Sequence, residues 1–245
     1  MNDVMKLMQE HSSVRSYSEK KISNELLEEL IVSGQSAASS SFIQAYSVIR
    51  VVDPVKRQII ANAAGGQSWI IDAPEFMVLC ADMQRINYAS LKNEEGELKG
   101  YTEHFIAATV DTALMAQNIL LAAESTGLGG VFIGGIRNNP TIVAETLELP
   151  QHVFPAFGLC LGWPAHKNAV KPRMPVSVIM HQDSYNIDAV PADVDAYDEA
   201  FSAYYGSRGS NVKSSNWSAP TTRAIQGKRR EHMLEFLQKR GFLKC

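Results

Sequence analysis

The stretch from about Thr102 to Ser125 limits the fold more than any other part of the chain. It reads TEHFIAATVDTALMAQNILLAAES, with no internal glycine or proline, and Gly127 follows as a C-terminal stop, so it specifies one long helix. Small and apolar side chains (Ala107, Ala108, Ala113, Ala116, Ala122 and Ala123) fall on several of its faces. A helix of that kind is central to its domain or packed against another subunit, because no single stripe marks a buried side.

The elements around it are shorter. Asn2 can cap a helix with Val4, Leu7 and Met8 on one face, and Ser23 a second with Leu26, Leu27, Leu30 and Ile31 at helical spacing. Between them HSSVRSYSEKK is a polar, hydroxyl-rich loop. Tyr46 to Val52 is a β-branched strand, and Glu75 to Ala81 is so continuously apolar that it reads as a buried one. Asp53-Pro54 and Asn139-Pro140 each set a capping side chain before a proline at the first helical position. Gly130 to Gly135 is a strand running into a glycine turn, and Val153 to Trp163 is a last long apolar strand broken at Pro155. Helices and strands so intermixed predict an α/β or α+β sheet core. From about Pro191 the chain is helical at both ends of a Ser/Gly/Asn-rich stretch, an arm that need not pack only on its own subunit.

Composition excludes several classes. A net charge of −3 gives no general attraction to nucleic acid or to an anionic membrane. No run of about 18 apolar residues is present to span a bilayer, and MNDVMKLMQEH is too polar for a signal peptide, so a cytoplasmic protein is expected. Cys80, Cys160 and Cys245 are odd in number and far apart, which fits a reducing compartment without disulfides. The histidines are scattered without metal-ligand spacing, and there is no Gly-x-Ser-x-Gly elbow. No catalytic nucleophile or acid–base pair is visible, as expected where a cofactor does the chemistry.

Four constellations are suited to binding. His11, Ser13 and Arg15 alternate along a loop, so their side chains can converge on one anionic group. Lys171-Pro172-Arg173 holds two cations on a φ-locked proline. The glycines from Gly127 to Gly135 let backbone approach a planar ligand, although neither a Rossmann fingerprint nor a Walker sequence is formed. Ser39-Ser40-Ser41, followed by Phe42 and Gln44, groups hydroxyls near an aromatic ring. Taken singly, the glycine stretch is equally a plain turn, and the other three read first as solvated loops or a frayed helix end.

Together, and in order, the segments HSSVRSY, SSSFIQAYSVIRVVD, GGQ, CAD, VDTALMAQN, AAESTGLGGVFIGGIRNN, LPQHVFPAFGLCLGWPA and KPRMP resemble the nitroreductase family over nearly the whole chain. The likeness is to its branch of NADPH nitroreductase A and flavin reductase P enzymes. The resemblance implies an α+β three-layer sandwich, a mostly antiparallel sheet flanked by helices, in an intertwined homodimer with FMN at the interface. Residues 1–190 would be the FMN-binding core, and 191–245 an arm packing on the partner and carrying the NAD(P)H loop. His11, Ser12, Ser13, Val14 and Arg15, with Lys171 and Arg173, would hold the phosphate and ribityl end or the pyrimidine side of FMN. Gln67 would hydrogen-bond the isoalloxazine. Phe132, Ile133, Gly134 and Gly135 would lie along the ring near N5, and Ser39, Ser40 and Ser41 would come from the other subunit. Ser12 departs from the family's usual arginine. Arg208, Lys213 and Arg230 match the basic positions that select NADPH; Lys213 stands where arginine is common and is not its bidentate equivalent, so NADPH or NADH stays open. The implied reaction is ping-pong hydride transfer through flavin N5 to nitroaromatics, quinones or free flavin; the alternative is a flavin-binding, sequestering protein without turnover.

Overall fold

The computed structural model describes residues 1–207, 215–227 and 229–245. In chain order the elements of the first part are α1 (Asp3–Gln9), α2 (Asn24–Gln35), β1 (Tyr46–Arg50), α3 (Pro54–Ala63), α4 (Trp69–Asp72), β2 (Glu75–Asp82), α5 (Gln84–Lys92), α6 (Thr102–Ser125), β3 (Gly129–Ile133), α7 (Pro140–Thr146) and β4 (Val153–Gly162). Then come α8 (Val176–Ile179), α9 (Val190–Gly206), α10 (Ser218–Gly227) and α11 (Met233–Lys239). The expected caps form: the Asn2 side chain accepts from Met5 N–H, Ser23 from Leu26, Asp53 from Val55 and Asn139 from Ile142. The helices α4 and α5 carry no side-chain cap, so no capping residue announces their starts.

Two compact units divide the chain, 1–168 with 230–245, and 169–229. The division differs from the expected boundary at residue 190. The last segment rejoins the first unit because α11 carries Phe236 and Leu237 into its core, followed by the buried Phe242. The second unit comprises α8, α9 and α10. Within it Asp198 of α9 accepts hydrogen bonds from the backbone N–H groups of Trp217 and Ser218, which fixes the start of α10.

The sheet of the first unit is antiparallel throughout, in the order β1-β2-β4-β3. Alternation along the strands builds two separate cores. Phe76, Val78 and Cys80 of β2 point to one side, into a cluster with α3, α7 and α11; Met77 and Leu79 point to the other, against α2 and α6. Every residue of β2 is buried, so helices must cover both faces, and the result is a three-layer sandwich. Each large apolar side chain hidden this way contributes about 1.5–3 kcal/mol of transfer free energy.

Pro155 does not break the last strand. β4 runs from Val153 to Gly162 through it, with a register shift opposite Leu79 and Cys80. The proline is accommodated because β3 pairs only with Gly158 to Gly162, leaving Pro155 with a neighbour on one side, where a missing N–H costs no ladder bond to a second strand.

The predicted span of α6 is realised residue for residue. One face, from Ala108 through Thr112, Met115 and Ile119 to Ala123, is buried on the sheet and α2, while Ile106, Val110 and Leu114 form an exposed apolar stripe. By length and mean hydropathy α6 would suffice to cross a membrane, although no unbroken apolar run suggested it. Its buried face instead carries Asp111 and Thr112, which bond to neighbouring backbone.

A methyl group at Gly130 would lie 2.6 Å from the Cys160 carbonyl oxygen and 2.7 Å from Leu161 Cδ2. The carbonyl belongs to a paired strand and cannot swing aside. Gly130→Ala is therefore expected to lower stability by about 1–3 kcal/mol, read as a lower urea midpoint at an unchanged slope. A midpoint equal to that of the unaltered protein would contradict this packing.

Candidate functional site

The glycine turn lies at the end of β3, where the chain enters a 3-10 turn from Gly134 to Asn138. Ile133 is buried in the core, whereas Phe132, one residue earlier, faces the opposite way, partly exposed and edge-on to Phe157 at 5.4 Å. Gly135 is required for space. A Cβ there would stand 2.1 Å from Gln67 Nε2 and 2.6 Å from the Ala64 carbonyl oxygen. Gly65 and Gly66, with φ of +89° and +74°, turn the chain out of α3 and deliver Gln67 to this position.

Gln67 is held at both ends of its amide. Nε2 donates to the Ala64 carbonyl at 2.8 Å, and Oε1 accepts from Trp69 Nε1 at 3.1 Å. One N–H and one lone pair are left over from these bonds, a donor–acceptor pair suited to the edge of a heterocycle. The Arg15 guanidinium stands 5.9 Å from the Trp69 ring centroid. Arg230 completes the far side: Nη2 donates to the Gly134 carbonyl at 3.0 Å and to Asn138 Oδ1 at 2.9 Å. Asn138 in turn donates to the Ala64 carbonyl. Arg15, Gln67, the Phe132–Gly135 turn and Arg230 thus meet in one junction although they are far apart in sequence.

The N-terminal loop is stitched to β3. Val14 N–H donates to the Gly130 carbonyl at 2.9 Å, the Tyr17 hydroxyl donates to the Val14 carbonyl, and Asn168 donates to the Ser13 carbonyl. Burial pushes the Tyr17 phenol far above its ordinary range, so it remains a donor. The Val14 side chain is buried. The side chains of His11, Ser13 and Arg15 have different immediate neighbours. His11 pairs with Glu124 at 2.6 Å and, with Ser12 and Val14, lines a hollow of about 430 Å³ that Ser13 and Arg15 do not line.

Ser39, Ser40 and Ser41 belong to a built loop and not to a frayed helix end. Ser39 Oγ donates to Asp111 Oδ2 at 2.6 Å, and Ser40 N–H to Oδ1 at 2.8 Å. Lys171 and Arg173 are exposed in the second unit, where the Pro172 carbonyl between them accepts from the Tyr197 hydroxyl at 2.8 Å. Arg208 and Lys213 lie outside the described residues. Sequence reasoning passed over Trp69, Glu124 and Asp111. Asp111 left a signal, as an acid in the middle of the helix beside Val110 and one turn from Ala108 and Leu114.

Cys80 and Cys160 are fully buried, and desolvation raises both thiols, that of Cys160 to about 12. A thiolate nucleophile is therefore not available from either. At pH 8, a disulfide reagent is expected to modify only the exposed Cys245 in the folded protein and all three cysteines after unfolding. Rapid native modification of a second thiol would show that one of the buried pair is reactive.

A helix-covered antiparallel sheet carries a glycine turn, an amide and guanidinium groups at one junction, beside two buried cysteines that are not activated. The nitroreductase family model matches residues 8–163, and that for the nitroreductase family C-terminal domain matches 171–245. The chain belongs to the nitroreductase family and is an oxidoreductase. It is 40% identical over 245 residues to the oxygen-insensitive NADPH nitroreductase of Salmonella typhimurium, covering 99% of each chain. It is also 40% identical over 247 residues to the NADPH-flavin oxidoreductase of Vibrio harveyi, covering all of both. The solved structure of NfrA1 nitroreductase from B. subtilis matches with a TM-score of 0.94 at 35% identity, over 99% of this chain and 100% of that one. The Vibrio harveyi NADPH:FMN oxidoreductase complexed with NAD+ matches at 0.88 and 38%, over the whole of both chains.

Proposed function

We propose that this chain is an FMN-dependent NAD(P)H oxidoreductase that acts as a homodimer on small electron acceptors such as nitroaromatics, quinones or free flavin. The observation that carries this reading is the Gln67 amide. It is wedged against Gly135, braced by Ala64 and Trp69, and keeps a donor and an acceptor to spare. The residues present fit FMN. Any side chain at position 135 would run into Gln67, Phe132 offers exposed apolar surface beside the turn, and Gln67 keeps one N–H donor free.

Bound FMN supplies two-electron exchange between the nicotinamide and the acceptor. The protein's own groups position and tune. Gln67 addresses the polar edge of the ring, and the Gly134–Gly135 backbone allows close approach. Arg15 contributes positive charge, which favours an electron-rich ring over a neutral one. With both buried thiols protonated, neither Cys80 nor Cys160 serves as a covalent nucleophile. The exposed stripe Ile106, Val110 and Leu114 on α6 supports the homodimer, since a contiguous apolar face on a helix is otherwise left in water. Two free buried thiols and the need for NAD(P)H support a cytoplasmic enzyme.

The purified protein is expected to be yellow and to bleach on addition of NADPH or NADH without oxygen, regaining its colour with a quinone. Flavin colour with no NAD(P)H oxidation would make it a binding protein instead; colourless protein that takes up no added FMN would overturn both. Arg15→Ala is expected to weaken FMN binding by roughly 2 kcal/mol, about thirtyfold in Kd, measured by flavin fluorescence quenching. Sedimentation is expected to give twice the 27.0 kDa of one chain.

A further inference from the structure

The loop from Ser39 to Ala45 is held in a conformation that its residues do not favour. Ser41, Phe42 and Gln44 have φ of 45°, 58° and 50°, in the left-handed region where side chains other than glycine are rarely found. Phe42 is among the most exposed aromatic side chains, at 80%. Neither apolar burial nor glycine therefore accounts for the shape. Backbone held in this way persists only where the surroundings over-determine it, and such segments concentrate at functional sites.

What determines the shape is a pair of clamps of opposite sign. Asp111, fully buried on α6, accepts from Ser39 Oγ at 2.6 Å, Ser40 N–H at 2.8 Å and Ala45 N–H at 3.1 Å. Its charge is met by N–H and O–H dipoles at both ends of the loop. Ser39 Oγ also accepts from Gln44 N–H at 2.7 Å, closing the loop on itself. From the other side Arg85 of α5 donates to the carbonyls of Gln44 at 3.0 Å and Tyr46 at 2.5 Å. Arg85 is itself fixed by Asp82 and Ser47, both at 3.0 Å. The carboxylate takes the loop's donors and the guanidinium takes its acceptors.

We infer that Asp111 is a positioning residue for the active site. It acts through the Ser39–Ala45 loop and holds Ser40 and Ser41 preformed for the flavin, with Arg85 as its counterpart. The inference rests on the proposed FMN chemistry and on the family resemblance, which implies that these serines meet the flavin bound by the partner subunit. A loop ordered in advance saves the ordering cost at binding, so slackening it weakens binding without removing any atom that touches the flavin.

The test uses the full-length dimer with Asp111→Asn, which keeps the side-chain shape but turns an N–H toward at least one of the loop's donors. Amide hydrogen exchange at Ser40 and Ala45 in the FMN-free protein is expected to speed up about tenfold or more, the equivalent of one lost charge-assisted bond. The Kd for FMN is expected to rise about tenfold. At saturating FMN, KM for a nitroaromatic should rise while kcat stays within about threefold, because no reacting group is removed. A purely structural role would lower Tm without splitting KM from kcat. Exchange unchanged within about twofold refutes the clamp. Faster exchange with unaltered Kd and KM shows a clamp that does not serve the site, and also overturns the inference. If the unaltered protein binds no FMN, the functional reading fails first and takes the inference with it. The exchange experiment tells that failure apart from failure of the clamp. Should Asp111→Asn not fold, Arg85→Gln carries the same measurements, with about threefold effects in the same direction expected and none counting against the inference.

Discussion

The burial of β2 on both faces is the constraint on which the first unit depends. A strand with every residue hidden needs a cover on each side, so α2 and α6 pack beneath it while α3, α7 and α11 close the other side. Its two ends carry acids, Glu75 and Asp82, that cannot be buried alone. Glu75 receives a two-pronged bond from Arg50, with Nε at 2.7 Å and Nη2 at 2.5 Å, and Asp82 is taken by Ser47 and Arg85. These pairs lock β1 to β2, and Arg85 extends the same lock to the loop before β1. The strand that organises the core thereby reaches the edge of the candidate site through its terminal charge.

The site is built on that frame from pieces that rigid elements deliver. β3 is pinned to β4 along its length and ends where the glycine turn begins, so the turn inherits the precision of the sheet. Gln67 comes from the opposite direction, off the end of α3. The two meet so closely that position 135 has no room for a side chain. Arg230 fixes the turn from the returning C-terminal segment. Such an arrangement fits an enzyme whose bound cofactor reacts and whose protein groups hold it in place.

Much of the fold was legible in the sequence. The limits of α6 followed from a long run of helix formers closed by Gly127, and the starts of α1, α2, α3 and α7 from capping side chains or prolines. These are local signals, decided by a residue and its neighbours within a turn. The misses share the opposite property. α4 and α5 have no cap to announce them, and Pro155 is harmless only because β3 stops short of it. The return of α11 to the first core depends on where Phe236, Leu237 and Phe242 find apolar partners.

The candidate site divides along the same line. The sequence by itself determined which residues are present to bind: cations at Arg15, Lys171, Arg173 and Arg230, an amide at Gln67, and glycines at 134 and 135. Resemblance of ordered segments, confirmed by full-length relatives, determined the family. Only the tertiary structure decided how these groups are used. It turned His11 onto Glu124, joined Gln67 to Gly135 and Trp69, and made Asp111 the anchor of the serine loop, because each outcome depends on contacts between segments far apart in the chain. Spacing along a sequence fixes what one element presents; the partner it meets is fixed by packing.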